Sequence, residues 1–315
     1  MDRRRFLTVS GLAAASPAWS GSAPVAGAAP DPGLFKRVDF GTDGLGLDPR
    51  EYAALLHEAA SGADLQADSY SNGGLIAQLE QKFASLLGKQ AAIFLPTGTL
   101  ANHLAIRKLA GEGRRVLVQA ESHLYNDSGD CAQAFSGMNL VPLGEGRAAL
   151  GVEEIRRWVE RTAGGRVQMK VGAISIETPV RRRDHEMVPF DELQRLSVYA
   201  RDAGIGLHLD GARLFNLPFH SGRTVREYAG LFDSVYVSLW KHFNGASGAI
   251  LAGDAGFIEG LLHERRMFGG SLAHAWPQVA LVANYVDGYE REYARAWGAA
   301  DQLIGLLRSQ GLFQV

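Results

Sequence analysis

The sequence contains a single cysteine, Cys131. One thiol excludes an internal disulfide framework and a zinc site built from several cysteines. Cys131 itself reads as a small packed side chain. No apolar run approaches the ~20 residues that a membrane-spanning helix needs. Charge of one sign is also lacking: the formal net charge is -2, so nothing electrostatic points to nucleic acid or an anionic membrane as partner. Common catalytic signatures are absent too. No G-x-G-x-x-G follows a strand, no G-x-x-x-x-G-K-[ST] phosphate loop occurs, and "NGASGA" has the wrong spacing for G-x-S-x-G. The histidines form no H-E-x-x-H. His208-x-Asp210 could hold a metal, but no third ligand lies nearby in sequence, so no metal site is expected.

The first 30 residues stand apart. Arg3, Arg4 and Arg5 precede a mildly apolar stretch, which ends in small residues at Ala26-Gly27-Ala28. This resembles a bacterial twin-arginine export signal, a route that carries folded proteins. Residues 1–30 are therefore expected to direct export, with a mature chain starting near Ala29. The alternative is a basic tail on a cytoplasmic protein.

From about residue 48 helical and strand-like segments alternate. Asp48-Pro49 supplies a cap and a first-turn proline for one helix. Leu75, Leu79, Phe83, Leu86 and Leu87 recur at helical spacing before Gly88. Further helices are expected over 98–111, 151–164 and 188–204. Strands are expected over 91–95, 115–119, 170–176, 205–210, 234–239 and 248–253. Such alternation implies a mostly parallel sheet covered on both faces, with its site along the carboxyl edge. Residues 277–311 read as one long helix or two in tandem, and 312–315 as the start of a strand. The expected organisation is a leader (1–30), a large α/β domain (31–275), and a linking helix that begins a largely absent small domain (276–315).

Three strand ends carry chemistry. The strand "IGLHLD" ends in Asp210, and "SVYVSL" runs into Lys241. "FLPTGTLAN" turns from strand to helix at Thr97-Gly98-Thr99, where free amides and a helix dipole suit an anion. The plainer readings are an Asp210–Arg213 salt bridge and a helix cap without ligand. Taken together, a phosphate cradle, an acid and a strand-end lysine describe a pyridoxal 5'-phosphate (PLP) site. In it the lysine forms a Schiff base and the acid keeps the pyridine nitrogen protonated.

"PTGTLAN", "SHLYND", "LHLDGARLFN" and "SLWKHFNGASGAILAG" resemble the corresponding blocks of threonine aldolases, which belong with the β-eliminating lyases to fold-type-I PLP enzymes. The resemblance runs from about Val38 to Phe268. It implies a PLP-dependent transferase-like α/β fold with a seven-stranded type of sheet. It also implies a homodimer or homotetramer acting on a small amino acid. Lys241 would hold PLP and Asp210 would pair with the pyridine nitrogen. Gly98, Thr99 and Ser238 would bind phosphate, while His123 would stack on the ring and assist proton transfer. Arg213 and Thr42 would meet the substrate carboxylate. The implied activity is cleavage of the Cα–Cβ bond of a β-hydroxy-α-amino acid to glycine and an aldehyde. The alternatives are β-elimination on another amino acid and PLP binding without turnover.

The sequence departs from that pattern in four places. Trp240 replaces a serine or threonine before the lysine, and "ETPVRRRDHE" replaces a block carrying asparagine and histidine. Residues Ser71 to Gly74 replace "GEDP", and Ala273 stands where an arginine is expected.

Overall fold

Short runs of valine, isoleucine, leucine and alanine bounded by glycine or polar residues build a seven-stranded sheet. The computed structural model describes residues 33–62 and 65–311, so the leader and the strand expected at 312–315 lie outside the described residues. The strands are β1 (Ala91–Leu95), β2 (Arg115–Gln119), β3 (Asn139–Leu143), β4 (Val171–Glu177), β5 (Gly206–Asp210), β6 (Ser234–Ser238) and β7 (Ala249–Gly253). Their spatial order is β1-β7-β6-β5-β4-β2-β3. Strand β7 is antiparallel to both neighbours, and the other six run parallel. The carboxyl ends of β1, β2, β4, β5 and β6 therefore share one edge of the sheet. The link between β6 and β7, residues 239–248, begins and ends on that same edge.

The principal helices are α1 (Pro49–Ser61), α2 (Gly74–Leu87), α3 (Gly98–Ala110), α4 (Val152–Ala163), α5 (Phe190–Asp202) and α6 (Tyr289–Ser309). Asp48 and Glu51 close a capping box on α1, and α2 stops at Gly88 in the left-handed conformation. Alternate strand residues face opposite sides of the sheet. Phe94 joins α2 and α5 in the larger core, whereas Ile93 and Leu95 join α3 in the other. Every residue of α3 from Ala101 to Ile106 is buried. It therefore lies across the middle of the sheet as an all-round buried helix. A polar side chain on it must find a partner inside.

Short helices such as Val225–Gly230 and Leu261–Met267 add to the expected elements, and two further differences concern the sheet edge and the closing segment. Strand β3 was not anticipated because Pro142 interrupts "NLVPL"; it pairs only with β2, and an edge strand tolerates a residue without an N–H. The closing segment is neither one helix nor two. Short helices at Trp276–Val279 and Val282–Val286 bury Val279, Val282 and Val286 before α6 begins after Gly288.

Candidate active site

Each strand end on the shared edge delivers one functional group. After β1, Thr97 caps α3 by accepting the Leu100 amide at 3.2 Å. The first-turn amides of Gly98 and Thr99 have no acceptor within the helix, and its positive end faces the cleft. Gly98 is needed for close approach: a Cβ there would lie 1.9 Å from the Tyr236 hydroxyl. As the last residue of β5, Asp210 accepts the Ala212 amide on Oδ1 at 3.1 Å and Asn102 Nδ2 on Oδ2 at 2.6 Å. After β6 comes Lys241, and Arg213 follows β5. Gly98, Thr99, His123, Asp210, Arg213 and Lys241 all line one cleft. Ser238 is buried beneath it beside Tyr236, and its hydroxyl completes no hydrogen bond.

The electrostatics favour a reactive amine. Burial pushes the Lys241 ammonium below its usual value, and Arg213 acts in the same sense while Asp210, Asp43 and Glu177 oppose it. The Lys241 Nζ lies 4.9 Å from the centre of the Trp240 ring. Trp240 is 48% exposed, so it borders the mouth of the cleft and does not form its floor.

Sequence reading missed two acids. Glu177 ends β4 directly opposite Asp210 in the ladder and lines the cleft. Its Oε2 accepts the His123 amide at 2.6 Å and its Oε1 the Arg181 amide at 3.0 Å. Burial, with Asp210 alongside, pushes its carboxyl up to about 7. The available signal was its position, an acid ending an apolar strand just as Asp210 does. The second acid is Asp43, which grips Arg213 at 2.6 and 2.8 Å. Burial favours protonating Asp43, but the Arg213 bond and charge prevail and hold its carboxyl below the usual range. Thr42, expected near the substrate carboxylate, is exposed and donates to the Gly44 carbonyl. Its neighbour Asp43 meets Arg213 instead. A Cβ on Gly44 would lie 2.6 Å from the Lys241 carbonyl, and the Leu45 amide donates to Asn244 Oδ1. This segment is thus pressed against the lysine loop.

The sequence departures resolve as packing features. Arg181 and Arg182 pair with Asp127, and Arg183 with Glu186, so the three arginines are matched by acids outside the cleft lining. The turn replacing "GEDP" and the segment around Ala273 bind each other. Asp68 accepts the amides of Ser71, Ala275 and Trp276, and the Tyr70 amide donates to the Ala273 carbonyl.

These residues fit PLP. The free amides at Gly98 and Thr99 and the unpartnered Ser238 hydroxyl suit its phosphate, and Asp210 has the chemistry its ring nitrogen requires. The fold and cleft together define the class of PLP-dependent fold-type-I enzymes. Residues 52–300 match the profile of the beta-eliminating lyases, and the chain belongs to that family of PLP-dependent lyases.

Among relatives, the low specificity L-threonine aldolase of Saccharomyces cerevisiae is 27% identical, over 82% of this chain and 67% of its own length. The probable low-specificity L-threonine aldolase of Schizosaccharomyces pombe is 30% identical, over 74% of this chain and 61% of its own. The chain thus spans about two thirds or less of these enzymes' length. A solved structure of a putative L-allo-threonine aldolase from Listeria monocytogenes superimposes with a TM-score of 0.72 at 34% identity. It covers 82% of this chain and 70% of that one.

Proposed function

We propose that this chain binds PLP on Lys241 and cleaves the Cα–Cβ bond of a β-hydroxy-α-amino acid, giving glycine and an aldehyde. The observation that carries this reading is the convergence of the α3 amides, Asp210, Arg213 and Lys241 on one cleft at one sheet edge. Gly98 and Thr99 would hold the phosphate through their N–H groups, and Ser238 would add a hydroxyl. Asp210 keeps the pyridine nitrogen protonated. PLP bound there would supply the electron sink that Cα–Cβ cleavage of a β-hydroxy-α-amino acid needs. Arg213 orients the substrate by its carboxylate, a task suited to the forked guanidinium. His123, whose backbone amide donates to Glu177, would stand beside the ring and move protons.

The lowered proton affinity of Lys241 raises the share of neutral, nucleophilic amine at neutral pH, which suits covalent capture of an aldehyde cofactor. The test is spectroscopic. Added PLP should give a visible absorbance band in the wild type and none in Lys241→Ala. No band in the wild type overturns the reading. Membership of the beta-eliminating lyases supports β-elimination as the second reading. Threonine should yield glycine and acetaldehyde; ammonia and a keto acid would select the alternative.

Two further proposals accompany this one. The resemblance to threonine aldolases supports self-association to a dimer or tetramer, which sedimentation tests. The arginine-led leader supports export, which should fail when Arg3, Arg4 and Arg5 are all changed to Lys and the cells are fractionated.

A further inference from the structure

Four buried residues from three elements connect in a line beneath the cleft. Asn102 sits on α3, one turn after Gly98. His208 and Asp210 lie on the same face of β5, and Ser234 is the direct ladder partner of His208 on β6. Asn102 Nδ2 donates to Asp210 Oδ2 at 2.6 Å. His208 Nε2 lies 2.9 Å from Asn102 Oδ1, and His208 Nδ1 lies 2.8 Å from Ser234 Oγ. His208 and Ser234 are fully buried, and Asn102 and Asp210 nearly so.

The direction of every bond follows from one end. A carboxylate only accepts, so Asn102 turns its NH2 to Asp210 and its carbonyl to His208. His208 must then carry its proton on Nε2, leaving Nδ1 to accept the Ser234 hydroxyl proton. We infer that Asn102, His208 and Ser234 are positioning residues, a one-way hydrogen-bonded relay that locks the Asp210 carboxylate toward the cofactor's ring nitrogen. Burial lowers the imidazole of His208 to about 4, so the relay carries orientation and not charge. Asn102 and the phosphate-binding amides share one rigid helix, so the relay also registers the ring anchor against the phosphate anchor.

This inference rests on PLP binding at Lys241, and its test separates the two. In the apoprotein, long-range ¹⁵N–¹H correlation of labelled histidine should show His208 as the Nε2–H tautomer; the Nδ1–H tautomer overturns the relay whether or not PLP binds. With PLP labelled by ¹⁵N in the ring, two variants are compared. Glutamine places an N–H where Nε2 stood, so His208→Gln should keep wild-type affinity and a protonated ring nitrogen. His208→Asn keeps only the Ser234 side. It should bind PLP about tenfold more weakly, the loss expected of one buried hydrogen bond, and its ring-nitrogen signal should move toward the unprotonated position. Equal affinity and equal ring-nitrogen signals in the two variants overturn the proposal. Failure of the wild type to take up PLP overturns instead the reading on which it rests.

Discussion

Asp43 and Arg213 are 170 positions apart and meet edge to edge, Nε on Oδ1 at 2.6 Å and Nη2 on Oδ2 at 2.8 Å. A guanidinium has two donor edges, and Asp43 occupies one. Nη1 and the outer Nη2 hydrogen remain, their direction fixed by the salt bridge, for the substrate carboxylate of the proposed reaction. Asp43→Asn should raise KM for the amino acid by about 10–100-fold, the equivalent of about 1.5–3 kcal/mol for a charge-assisted bond. The effect on kcat should be smaller. Steady-state kinetics decide, and an unchanged KM with collapsed kcat would remove Arg213 from carboxylate binding.

Gly98→Ala places a methyl carbon 1.9 Å from the Tyr236 hydroxyl. Tyr236 is buried and cannot retreat without moving β6. Overpacking of this kind costs about 1–3 kcal/mol. The variant should melt at lower temperature and bind PLP at least about tenfold more weakly. Normal PLP titration would mean that the phosphate does not sit at this helix end.

Glu177 gives a pH signature with a defined sign. Its ordinary value of 4.5 rises to about 7 on folding, so between those limits the folded chain holds a proton that the unfolded chain has released. The contribution to stability is complete below about 4.5 and is lost as pH rises through 7. In Glu177→Gln this decline disappears. The apoprotein stability difference, variant minus wild type, should shift in the variant's favour by on the order of 1–3 kcal/mol from pH 4.5 to 7.5. Urea melts at the two pH values measure it, and a flat difference contradicts the raised carboxyl.

The Trp240 ring faces the Lys241 charge at the mouth of the cleft. An aromatic face favours the ammonium form, so Trp240→Ser should lower the proton affinity of Lys241 further. The acid limb of PLP capture, followed by stopped-flow absorbance, should move to lower pH. A shift the other way would leave the indole a purely steric role.

Lys241, Asp210 and Gly98 were legible because each follows an apolar strand where the chain turns, and a polar group there has little structural excuse. Asp43 was not. It lies in the glycine-rich stretch 41–46, which has no periodicity, and its meaning comes from an arginine far along the chain. Asn102 was hidden inside a helical pattern, since nothing local says that α3 is buried all round. The arginines at 181–183 pair with Asp127 and Glu186, and Asp127 is too far along the chain for the local sequence to show it. Strand β3 escaped because Pro142 argues against a strand except at an edge, and edge position is a property of the whole sheet.

The reversal of β7 has a practical consequence. Residues 239–248 are held at both ends by interior strands, so Lys241 is tied to the buried sheet and should resist local opening. The 41–46 stretch that carries Asp43 is a surface segment without strand or helix. A protease nick there should disarm substrate capture and leave the cofactor's colour intact, so colour alone would certify a folded protein and not a working one.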